Sequence, residues 1–137
     1  MESKEKKEKI KQKYMQFQVL NERLQSLQEQ HNALESYLAE MNSLVSNIDE
    51  INKSKKPAKI LIPVGSNIFA PAKIEDQDKF LVGIGAGVLI KKSHEQTSQD
   101  IKHQAVEFVE IINKVEEEIK NTSTIIQKLQ TEILAEQ

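Results

Sequence analysis

The tightest constraint on this chain is where its helix breakers fall. All four glycines lie between Gly65 and Gly87, and the three prolines are Pro57, Pro63 and Pro71. No Gly or Pro occurs before Pro57 or after Gly87. Proline removes a helical hydrogen bond and glycine carries the largest backbone entropy. Two long breaker-free segments can therefore each form one helix, with every tight turn confined between them. Of the 137 residues, about 5–53 then form an N-terminal helix, 57–92 an insert, and 93–135 a C-terminal helix, expected together as a single domain over 1–137.

Hydrophobic spacing supports both helices. In the first, one register falls at Ile10, Phe17, Leu24, His31, Leu38 and Val45, and a second at Lys13, Leu20, Leu27, Leu34, Met41 and Ile48. Only Lys13 and His31 are not apolar. In the second helix the registers are Ala105, Ile112, Ile119, Ile126 and Ile133, with Ile101, Phe108, Val115, Thr122 and Leu129. Two apolar registers held in phase over several heptads specify a coiled coil, and the period of 3.5 residues gives a left-handed supercoil. Ser93 and Gln96 have the spacing of a capping box that opens the second helix. Lys53 and Pro57 close the first.

The insert has the other period. Ile60–Val64 is a continuous apolar run, Ile68–Ile74 alternates in part, and Phe80–Ile84 and Val88–Ile90 are apolar again. Gly65-Ser66-Asn67, Glu75–Asp78 and Gly85-Ala86-Gly87 supply turns. Four short strands in two hairpins follow, with Pro63 and Pro71 at edges or bulges. Two hairpins cannot bury both of their faces alone, so they need a partner sheet, most simply from another subunit.

Helices of similar length on either side of such an insert pair their seams by folding back antiparallel. The expected fold is α-dominated with a small β part: a long antiparallel coiled-coil α-hairpin whose two helices are joined by two short β-hairpins. The far end then gathers Ile10, Tyr14 and Phe17 from one helix with Ile125, Leu129, Ile133 and Leu134 from the other. Tyr14, Ile125 and Leu134 lie off the seam, so two helices cannot cover all seven. These residues are the candidate binding tip.

Known chemistries find little here. Cysteine is absent, which removes disulfides, thiolate metal sites and a thiol nucleophile, and is compatible with a reducing cytosol. No signal-peptide core follows Met1, so a cytoplasmic location is expected. The run Phe80–Ile90 is about half of a membrane span and ends in Lys91 and Lys92. Net charge is −2, and Glu2, Glu5 and Glu8 interleave with the N-terminal lysines, against a nucleic-acid arm or a membrane surface. His31 reads as a polar seam residue that fixes register. His94 and His103 lack i,i+3 or i,i+4 ligand spacing. Gly83, Gly85 and Gly87 fit neither dinucleotide nor P-loop patterns, since Val88 stands where a third phosphate-loop glycine belongs. Glu75, Asp76 and Asp78 read as a solvated turn rather than a cation site. No catalytic residue, cofactor or metal site is expected, and the chain does not read as an enzyme.

The segments Ile60-Leu-Ile-Pro-Val-Gly65, Phe69-Ala-Pro-Ala-Lys-Ile74 and Asp78-Lys-Phe-Leu-Val-Gly-Ile-Gly-Ala-Gly-Val88 carry a resemblance to the prefoldin family. Two hairpins between the helices point to its alpha-type subunit, and the lysine-rich, arginine-poor composition looks archaeal. The resemblance implies an ATP-independent chaperone, a hexamer of two alpha-type and four beta-type subunits. Strands would form a β-barrel platform, and coiled-coil arms would hold unfolded polypeptides and pass them to a group II chaperonin. Assembly would then rest on Ile60, Ile62, Val64, Ile68, Phe69, Ile74, Phe80, Val82, Ile84, Val88 and Ile90, and client binding on the seven tip residues. The alternative is a structural or scaffolding coiled coil that binds a folded partner.

Overall fold

The computed structural model describes residues 2–136, with side chains from Ser3 onward. Its elements run α1 (Glu2–Lys53), β1 (Lys59–Gly65), β2 (Ile68–Lys73), β3 (Lys79–Gly85), β4 (Val88–Ser93) and α2 (His94–Glu136). This is the expected α-hairpin, with its helices joined by two β-hairpins. The chain divides into two compact units, one made of the chain up to Tyr37 and from Phe108 onward, the other of Leu38–Glu107.

In the first unit α1 and α2 are antiparallel. Their cross-helix partners descend along α2 as they climb α1: Lys13 meets Glu132 and Glu136, Arg23 meets Glu118, His31 meets Glu116, and Tyr37 stacks on Phe108. Every position of the two predicted registers on each helix is buried or half-buried, and all other α1 positions from Ser3 to Asn47 are exposed. Leu27, Ile112, Val115, Thr122, Ile126 and Ile133 lie deepest. Among the described residues no large side chain is fully enclosed. That is the geometry of two helices, which cover a stripe of each other and no more.

Two polar interruptions of the α1 seam are answered by acids. Lys13 Nζ sits 2.7 Å from Glu136 Oε1 and 3.5 Å from Glu132 Oε2. The Glu136 hydrogen bond outweighs desolvation and pushes the Lys13 ammonium above its ordinary value. His31 Nε2 lies 2.9 Å from Glu116 Oε1. Pairing of this kind offsets part of the penalty of a polar group in a seam and favours one alignment of the facing layers.

In the second unit, β1 pairs antiparallel with β2 and β3 with β4, as two separate two-stranded sheets. Both hairpins are built alike. The register slips between Pro63 and Gly65 and between Gly83 and Gly85, so each hairpin carries a bulge before its turn. Ser66 and Asn67 in one, Ala86 and Gly87 in the other, all have positive φ. Two such residues make the type I′ turn whose twist matches the strands. Gly85, at φ +110°, takes a bulge conformation that L side chains rarely adopt. β2 ends one residue before Ile74, whose amide instead donates to the Ala58 carbonyl at 2.9 Å.

Glu75, Asp76 and Asp78 are exposed, as a solvated turn should be, but Gln77 among them is not. Gln77 is only 3% exposed. Its Nε2 donates to the carbonyls of Ile51 (2.7 Å) and Ser54 (3.1 Å), and its Oε1 accepts from the amide of Ala58 (3.1 Å). One side chain thus satisfies carbonyls that the end of α1 leaves without helical partners. Asp78 accepts from Asn52 and Lys56, and Asp76 Oδ1 accepts from the Asp78 amide. The capping box is half formed. Ser93 Oγ accepts from the Gln96 amide at 3.1 Å, but the Gln96 side chain turns forward to Asp100 at 2.8 Å. Ser93 ends β4 and pairs with Lys79 in the ladder.

Candidate functional site

The described residues offer two apolar surfaces, one in each unit. The first lies near the start of α1 and the end of α2. Among the predicted tip residues, Tyr14, Ile125 and Leu134 are exposed, while Ile10, Phe17 and Leu129 are half-buried. Ile133, 5% exposed, is packed into the seam. The antiparallel register adds two residues absent from the expected set. Met15 (59% exposed) and Val19 (63%) line an open groove of about 500 Å³ with Leu20, Ile125 and Leu129. Both lie off the seam, where an apolar residue cannot be told from an incidental one in the sequence. Ile125 opposite them is what makes a surface. The Lys13–Glu132–Glu136 cluster ties the helices together close by in the chain.

The second surface is the pair of hairpins. Ile60, Ile62, Val64, Ile68, Phe69, Ile84, Val88 and Ile90 are exposed. Ile74, Phe80 and Val82 are half-buried. Phe80 rests against His94, with ring centroids 6.3 Å apart, and His94 Nε2 reaches Asp49 Oδ1 at 2.6 Å. Leu61, Leu81 and Leu89, on the opposite strand faces, are equally bare, Leu61 being 67% exposed. The signal was in the sequence: apolar runs without alternation belong to strands covered on both faces. Beside β3, Leu44, Ile48, Phe80, Val82 and Ile101 line a concavity of about 930 Å³. Lys92 and Asp100 meet at 2.7 Å on its wall. That bond, with a second from Gln96, holds the Asp100 carboxyl below the usual carboxylate range.

Neither surface assembles a nucleophile, a base and an oxyanion site. What the geometry offers is apolar area in two places, one a groove and one a set of open strand edges. Among the described residues no helix is long and apolar enough to cross a membrane.

The family model for prefoldin subunits matches residues 20–137. The chain belongs to the prefoldin family. It is 31% identical over 130 residues to prefoldin subunit alpha 1 of Methanocaldococcus jannaschii, covering 92% of this chain and 89% of that one. It is 23% identical over 118 residues to prefoldin subunit alpha of Thermofilum pendens, covering 86% and 92%. The filamentous prefoldin of M. jannaschii, solved by cryo-electron microscopy, has the same fold. Its TM-score is 0.71 at 17% identity, over 89% of this chain and 98% of that one. The alpha-type relatives accord with the two hairpins. Prefoldins are chaperones rather than enzymes, and membership of the family implies a complex with other subunits.

Proposed function

We propose that this chain is the alpha-type subunit of an ATP-independent holdase, in which two alpha-type and four beta-type subunits join through their strands. The single domain over 1–137 then divides its labour: 57–92 assembles, and the coiled-coil arm binds. Unfolded polypeptides are held in the cytoplasm at the arm end and passed to a group II chaperonin. The observation that carries this reading is the groove of Met15, Val19, Leu20, Ile125 and Leu129, with Tyr14 and Leu134 also exposed. Open apolar area of this kind binds without directional contacts, which suits clients of no fixed sequence. Each arm binds weakly, and several arms on one client multiply the affinity.

Substituting Val19, Ile125 and Leu134 together by Glu tests it. All three are exposed, so the seam is untouched. The reconstituted complex is expected to keep its mass while losing most of its ability to suppress aggregation of a denatured client. Full suppression by an intact variant complex would overturn the assignment of client binding to this end.

A further inference from the structure

We propose that His31, Glu35 and Glu116 form a zinc site that bridges α1 and α2. His31 Nε2 stands 2.9 Å from Glu116 Oε1 and 3.7 Å from Glu35 Oε1. One donor atom from each residue lies within 4.8 Å of the others. Zinc holds nitrogen and oxygen ligands at about 2.0–2.2 Å in a tetrahedron, which sets neighbouring ligand atoms about 3.3–3.6 Å apart. These two distances bracket that spacing, the two carboxylate oxygens lie within 4.8 Å of each other, and rotation of the exposed glutamate side chains closes the set.

The donors point to an imidazole-binding transition metal rather than an alkaline-earth ion. One imidazole and two carboxylates suit zinc, whereas calcium and magnesium favour oxygen alone. The placement favours an ion as well. Two carboxylates, one from each helix, converge on a single ring nitrogen, and a cation between them removes their repulsion. His31 is half-buried at a seam position, so its ring is already held by packing. Glu35 follows one helical turn later on the same helix. Both carboxylates are exposed, which leaves the fourth position to water. The other histidines lack this convergence: His94 meets Asp49, and the exposed His103 meets Glu107 on its own helix. The sequence hides the set because Glu116 lies 85 residues from His31. Zinc bound there ties the arm's two helices together at mid-length of α1, through a bond stronger than an ion pair.

The test uses the full chain, stripped of metal and titrated with zinc chloride by calorimetry, with cobalt(II) absorption as a geometric readout. Wild type is expected to bind one ion at this site and to show the intense visible bands of tetrahedral cobalt. His31→Asn and Glu116→Gln are expected to weaken binding by about tenfold or more and to lose those bands, while His103→Asn changes neither. Glu116 is exposed, so its variant retains the seam. Equal zinc affinity in wild type and Glu116→Gln, or cobalt bands that persist in His31→Asn, would overturn the proposal and leave the cluster an ion pair only.

Discussion

At the scale of single residues, Gln77 concentrates more structure than any other polar side chain in its unit. It joins the end of α1, the start of β1 and the link between the hairpins through three hydrogen bonds, all in a place that water barely reaches. Gln77→Ala leaves a buried amide and two helix-end carbonyls without partners, and we expect a loss of about 2–4 kcal/mol in chemical denaturation. A change within about 0.5 kcal/mol, the range of ordinary surface substitutions, would show that water replaces the clamp. Asp100 makes a prediction about pH. Its carboxyl is depressed in the folded chain by Lys92 and Gln96. Its contribution is therefore present above the unfolded carboxylate value and is lost as pH falls through the lower folded value. Asp100→Asn should flatten the acid limb of the stability curve below about pH 4 and leave its slope at neutral pH unchanged. A parallel acid limb in the variant would rule that out. Lys13 has the opposite sign. Held above its ordinary value by the Glu136 hydrogen bond, it supports the pairing of the helices until the pH climbs past its folded value.

At the scale of elements, the two hairpin turns test the backbone argument directly. Gly85 has φ +110° and open space where a Cβ would go, so a methyl there is opposed by conformation and not by crowding. Gly85→Ala is expected to cost about 1–2 kcal/mol in hydrogen-exchange protection of the β3 and β4 amides. Ala86, a non-glycine at φ +51°, should behave oppositely, and Ala86→Gly should gain about 0.5–1 kcal/mol. The same sign for both would mean that something other than φ governs these turns. The elements also explain what could be read before the structure. A seven-residue period is redundant, and each seam position is predicted by the others, so the helices and their buried registers were legible down to Lys13, His31 and Thr122. The strands were legible from their glycines and apolar runs. Gln77 was not, because its partners lie 23 and 26 residues away and its neighbours Asp76 and Asp78 give the segment the composition of a solvated turn. Met15 and Val19 were not, because only the pairing of α1 with α2 decides which off-seam residues face a common groove.

For the whole molecule, the hairpins are the decisive fact. Each sheet has two strands, so all four strands keep an open edge, and Leu61, Leu81 and Leu89 bare the strand faces as well. Exposed apolar edges are what proteins ordinarily blunt with charge or cover with another element. Lys59, Lys73, Lys79, Lys91 and Lys92 stand at strand ends near the helices, and the runs beyond them toward the turns carry no charge at all. Such a surface is consistent with a chain that completes its sheets in company, and the prediction can be made quantitative in mass. Native mass spectrometry of the chain with a beta-type partner should give a complex several times the 15.6 kDa of one subunit. Leu61→Lys with Leu81→Lys should abolish that complex, because each lysine places a charge where a neighbouring strand must pack. Helical content by circular dichroism should stay within error of wild type, since both substituted side chains are exposed. If the double variant assembles normally, the joining surface lies elsewhere than these strand faces. If wild type remains at one subunit's mass with its partner present, the hairpins have some other use, and the division between an assembling insert and a binding arm fails with it.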